Sequence, residues 1–167
     1  MAGDNKNPDT QEAYPYARAW NYVLWLLGRR AYTLAQLREK LRKKEATAET
    51  IEQVARRLEE LKLVDDRAYA EMYVQSRRHR KGRIALRREL VRKGVPEPLI
   101  EAALAPLETE GQIEAALTVL EKEAWRFTKD DPRKNAAKAF AFLARRGFTS
   151  DVAKEALERS TLNQGED

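Results

Sequence analysis

His79 is the only histidine of this 167-residue chain, and cysteine is absent. That pair of facts removes most site chemistry at once. No thiolate nucleophile, disulfide or cysteine-ligated metal is available, and a single imidazole cannot complete a zinc site alone. His79 stands in the basic run Arg77-Arg78-His79-Arg80-Lys81. Ser76, Ser150 and Ser160 are candidate partners, but none has the glycine-flanked context that exposes a nucleophilic serine. The seven glycines are scattered and build no phosphate-cradling loop. Asp65 and Asp66 are adjacent carboxylates, read here as helix-capping residues. The expectation is a protein without enzymatic activity, resident metal or cofactor.

The remaining chemistry is cationic. Residues 77–93 hold nine basic side chains against one acid, Glu89; residues 29–44 hold seven against Glu39; residues 126–146 hold seven against Asp130 and Asp131. Residues 94–121 carry six glutamates and no base. The net charge of +5 therefore understates the local field. The candidate contact residues are Arg29, Arg30, Arg38, Lys43 and Lys44 in the first run. The second run adds Arg77, Arg78, Arg80, Lys81, Arg83, Arg87, Arg88, Arg92 and Lys93, and the third adds Lys134, Lys138, Arg145 and Arg146. Arg88 and Arg92 lie opposite Leu86 and Leu90 and should point outward. The competing explanation is a solvated helical face, since cations near a helix C-terminus are favoured by its dipole.

The elements that must carry these residues are helices. Good helix formers dominate, and no segment alternates apolar and polar residues like a strand. Helices are predicted at 14–28, 33–44, 48–61, 66–79, 82–93, 96–105, 109–126, 132–146 and 150–159. Thr33 with Gln36 has the pattern of a capping box; Thr47, Asp65, Asp131 and Thr149 suit N-caps, with Pro132 at the first helical position. Gly94 and Gly147 fall where a left-handed helix end is wanted, and Gly28 and Gly82 are read as similar joints. Leu37, Leu41, Ile51, Val54 and Leu58, with Leu86, Leu90, Ile100, Ala103, Leu107, Ala139 and Leu143, form core stripes. Trp20, Val23, Leu24 and Leu27 are expected as core on the first helix. Exposure of Trp25, Trp125 or Phe127 would mark a contact surface.

A unit recurs about every fifty residues, a period typical of stacked helical units. Leu37-Arg38, Leu41 and Lys44 match Leu86-Arg87, Leu90 and Lys93, and Leu90, Lys93 and Gly94 match Leu143, Arg146 and Gly147. The fold class is all-α, in three tandem three-helix repeats over 13–64, 65–107 and 108–160. Tails at 1–12 and 161–167 are expected to be disordered or polar extensions. The most apolar stretch, Ala17 to Leu27, is shorter than the ~20 residues of a spanning helix. Met1 to Thr10 is polar and unlike a signal peptide. The chain is therefore expected to be soluble and cytoplasmic. Because the basic runs recur with the repeat, stacking would align them as a positive stripe.

The run from Leu58 to Val74, centred on Val64-Asp65-Asp66-Arg67-Ala68-Tyr69, resembles the RecX regulatory proteins of bacteria, as do Arg77, Lys81-Gly82 and Leu86 to Val95. Leu26 to Thr33 with Leu37, Lys40 and Leu41 resembles that family's first repeat, and Leu143 to Phe148 its third. The resemblance implies helix-turn-helix-like repeats in an elongated, curved array, right- or left-handed. The chain is expected to be a monomer. It implies binding in the groove of the RecA filament on DNA, and inhibition of RecA's ATPase, filament growth and strand exchange, in recombinational repair and the SOS response. Glu45 stands where the other repeats have glycine, and Ala46 where they have Val95 and Phe148, so the first turn is expected to be built differently. Two alternatives stand beside this: an autonomous module binding single- or double-stranded DNA, and a helical scaffold for some other protein.

Overall fold

The computed structural model describes residues 14–160, all of whose regular elements are helical. The expected tails lie outside the described residues. The chain divides into two compact units, one reaching to Asp66 and one beginning at Arg67.

The first unit holds α1 (Tyr16–Leu27), α2 (Leu34–Arg42) and α3 (Ala48–Glu60). Thr33 opens α2 with a complete capping box: its hydroxyl accepts from the Gln36 N–H and the Gln36 side chain accepts from the Thr33 N–H. Thr47 caps α3 in the simpler way. The core is Val23 and Leu26 of α1, Leu37 and Leu41 of α2, and Ile51, Val54 and Leu58 of α3. Leu24, expected in that core, is 39% exposed. The buried stripe of α1 runs instead through Ala19, Val23 and Leu26, one helical face.

The second unit contains two three-helix groups, each with its own core. α4 (Asp66–Arg77), α5 (Arg83–Arg92) and α6 (Glu97–Leu104) enclose Ala70, Val74, Leu86, Leu90, Ile100 and Leu104. α7 (Thr109–Lys122), α8 (Pro132–Arg145) and α9 (Ser150–Arg159) enclose Ile113, Val119, Leu120, Phe142, Leu143 and Val152. The helix expected to reach residue 126 stops at Lys122 and tightens into a 3-10 turn, Ala124–Phe127. That turn delivers Phe127 to the core, where its ring meets Phe142 at 5.6 Å. Packing there overrides a sequence that could have stayed α-helical.

Second helices end alike in all three groups. Glu45, Gly94 and Gly147 take positive φ of 60°, 73° and 83°. The next residue donates its N–H back to the last core leucine of the helix: Ala46 to Leu41, Val95 to Leu90, and Phe148 to Leu143, each at 3.2 Å. This is the Schellman closure. The first turn is therefore built like the others despite Glu45, and Ala46 is buried beneath it. Gly28 is right-handed at φ −66°, so it is no left-handed joint. Gly82 has another purpose. Its N–H and that of Ile84 donate to the Arg146 and Gly147 carbonyls, and a Cβ on Gly82 would meet Gly147 backbone at 2.2 Å.

Candidate functional site

The Schellman turns place two adjacent cations at the end of each second helix: Lys43-Lys44, Arg92-Lys93 and Arg145-Arg146. Lys43, Arg92 and Arg145 are exposed and make no ion pair among the described residues. The second cation of each pair leans over an aromatic ring of its own group. Lys44 lies 5.3 Å from the Tyr22 ring centre, Lys93 lies 5.2 Å from Tyr73, and Arg146 lies 5.2 Å from Phe142. A cation above a ring face is held there by the ring quadrupole. A further cation is held in the same way at the end of the first helix in the second group and just past it in the first, with Arg77 4.0 Å from Tyr73 and Arg29 4.7 Å from Trp25. Arg30 lies over Tyr32 at 4.2 Å. Each three-helix group thus carries a cluster of cations braced on aromatic rings.

Other candidates are engaged inside their own units. Arg38 clasps Glu52 through two bonds of 3.0 and 2.9 Å, and its hydrogen bond holds that carboxyl below the usual range. Arg87 pairs with Glu97 and Glu101, Lys138 with Asp130, and Lys134 with Asp131. Arg83 donates to the Leu107 carbonyl at 2.9 Å, and its backbone N–H donates to Gln112. Lys81 and the Tyr73 hydroxyl both donate to Glu89. Burial pushes the Glu89 carboxyl up, but those two bonds and the charges of Lys81 and Arg92 outweigh it and hold it below its ordinary value. Burial, then the bond to Glu89, pushes the Tyr73 hydroxyl up to about 12. Asp66 accepts the Leu34 N–H at the start of α2; burial raises its pKa against that bond.

Arg78 is half-buried with its Nε 3.4 Å from His79 Nε2. Arg80 and Arg88 are exposed without an ion pair among the described residues. In register with the repeat, Arg88 corresponds to Glu39 and Ala141, so it belongs to the second group alone. Arg92 corresponds to Lys43 and Arg145 and is shared by all three. Trp25 and Trp125 are 55% and 65% exposed, whereas Phe127 is core. Charge counting missed two residues on α5: Ile84 and Val91 are 49% and 51% exposed, on the helix that carries Arg88. Their signal was an apolar pair seven apart, off the Leu86–Leu90 stripe. No group of three or more histidine, aspartate or glutamate side chains gathers into a metal-binding set among the described residues. Nor is any described helix long and apolar enough to cross a membrane.

Family models match all three helical groups: the first three-helix domain of RecX at residues 19–58, the second at 65–104 and the third at 110–157. The regulatory protein RecX of Streptomyces coelicolor is 36% identical over 155 residues, covering 92% of this chain and 82% of its own. The chain belongs to the RecX family. The regulatory protein RecX of Thermus thermophilus is 40% identical over 140 residues, 84% of this chain and 90% of that one. The crystal structure of RecX from Lactobacillus salivarius superposes with a TM-score of 0.77 at 27% identity, covering 86% of this chain and 94% of that one.

In RecX terms, the aromatic-braced cations recur once per three-helix domain, while the Ile84–Arg88–Val91 face belongs to the second domain only. Chemically the first can neutralise anions on a partner, and the second can bury aliphatic surface beside charge. Each of these RecX domains carries cations braced on aromatic rings.

Proposed function

We propose that this chain regulates the recombinase RecA by binding its filament on DNA, and that it lowers RecA's ATPase, filament growth and strand exchange without catalysing a reaction itself. The observation that carries this reading is the exposed cation repeated at the end of every second helix, Lys43, Arg92 and Arg145, each beside a cation braced on a ring. A repeated contact suits a partner that is itself repetitive, such as a filament of identical subunits on a phosphate backbone. The regulatory RecX relatives support the choice of partner through their family resemblance. The experiment is a titration of labelled single-stranded oligonucleotide, bare and RecA-coated, by fluorescence anisotropy. Tighter binding to the coated strand is expected; equal or weaker binding contradicts the reading.

One observation favours a second reading, direct binding to nucleic acid. Trp25 is exposed, stacked near Tyr22 at 6.1 Å, with Arg29 over its own ring and Lys44 over that of Tyr22. An exposed ring among cations can stack an unpaired base while the cations hold phosphate. In that case the bare strand binds with a steep salt dependence, and RecA adds nothing.

A further inference from the structure

The outward face of α5 combines features that neither the core nor the shared cations account for. Ile84 and Val91 sit two helical turns apart, about 10 Å along the axis, and each leaves about half its surface in water. Arg88 lies between them and Arg92 follows Val91, both exposed and without an ion pair among the described residues. Nearby acids are already engaged: Glu89 with Lys81 and Tyr73, and Glu97 and Glu101 with Arg87. At the positions of Ile84, Arg88 and Val91, the first repeat has Ala35, Glu39 and Arg42, and the third has Ala137, Ala141 and Ala144. Exposed aliphatics beside Arg88, an exposed arginine without an ion pair among the described residues, are thus particular to the second repeat.

We infer that this face docks an acidic protein element, one that sets an apolar side chain among carboxylates. The charge selects the occupant. Carboxylates would answer Arg88 and Arg92, and an apolar side chain would cover Ile84 and Val91, giving the apolar centre and charged rim of a protein contact. Nucleic acid fits less well: phosphates gain nothing from aliphatic side chains, and α5 has no aromatic residue on which a base could stack. A second copy meeting the same face would set Arg88 and Arg92 against their own equivalents. The inference rests on the RecA reading above and deepens it: the filament's protein, not its DNA, meets the second repeat.

The test compares wild type with Ile84→Ser/Val91→Ser and with Arg88→Glu/Arg92→Glu, each checked for an unchanged thermal midpoint. The Ile84 backbone bond to Gly147 survives the substitution. Each protein is titrated against RecA filaments on single-stranded DNA and against the same strand bare. The serine pair should weaken filament binding about tenfold or more while leaving affinity for the bare strand unchanged. The glutamate pair should weaken it further and flatten its salt dependence. Serine variants that bind the filament like wild type overturn the proposal. So does a parallel loss of bare-strand binding, which would assign the face to nucleic acid. A wild-type dimer that the serine pair dissolves, seen by sedimentation, would assign it to a second copy and also overturn the proposal. Wild-type protein that ignores the filament overturns the functional reading and this proposal with it, a result distinct from a failure of the variants alone.

Discussion

Glu45 holds a left-handed conformation, φ 60°, that costs an L-residue about 1–2 kcal/mol. Its equivalents Gly94 and Gly147 take the same shape without a Cβ to accommodate. Replacing Glu45 by glycine should therefore stabilise the protein by up to about 1 kcal/mol, after the greater freedom of an unfolded glycine is subtracted. Urea unfolding measures this, and a loss of stability would contradict it. Glu89 makes a pH prediction. Its carboxyl is held below the ordinary value by Lys81 and Tyr73, so its contribution is complete above the ordinary glutamate pKa of about 4.3 and disappears as pH falls through the lower folded value. Between pH 7 and 3, Glu89→Gln should lose less stability than wild type; parallel curves would refute the assignment. The type of each of these residues was plain in the sequence, but their partners were not. Glu89 looked like a lone acid in a basic run, and nothing local announced that Tyr73, sixteen positions earlier, would bond to it.

At the scale of elements, helix starts were legible because caps are local chemistry. Thr33, Thr47, Asp131 and Thr149 each accept the backbone N–H three residues on. Thr33 is wholly buried, and Thr33→Ala should cost about 1–2 kcal/mol in thermal or chemical unfolding. The contacts that lock the second and third repeats together were not legible, because they join residues far apart in sequence. Gly82 and Gly147 approach back to back, with no room for a Cβ on Gly82. Gly82→Ala should cost about 1–3 kcal/mol or more by overpacking. A variant that unfolds at the wild-type midpoint would show that the backbones separate freely. The 3-10 turn at Ala124–Phe127 escaped prediction for the same reason: Phe127 obeys Phe142, not its neighbours in sequence.

For the whole molecule, the repeat and the all-α class could be read from spacing alone, since period and composition are properties of the sequence itself. The distribution of charge was legible only in part. Arg38, Lys81, Arg83, Arg87, Lys134 and Lys138 answer partners in their own units, which side-chain counting could not foresee. What survives in every repeat is narrower: Lys43, Arg92 and Arg145, with their ring-braced neighbours. Reversing these three to glutamate should abolish most filament binding while leaving the fold intact, because all three are exposed and none makes an ion pair among the described residues. The most direct test of the regulatory role is RecA's single-stranded-DNA-dependent ATP hydrolysis, measured as this protein is added. Hydrolysis should fall at sub-stoichiometric protein; an unchanged rate at one protein per RecA would contradict the account.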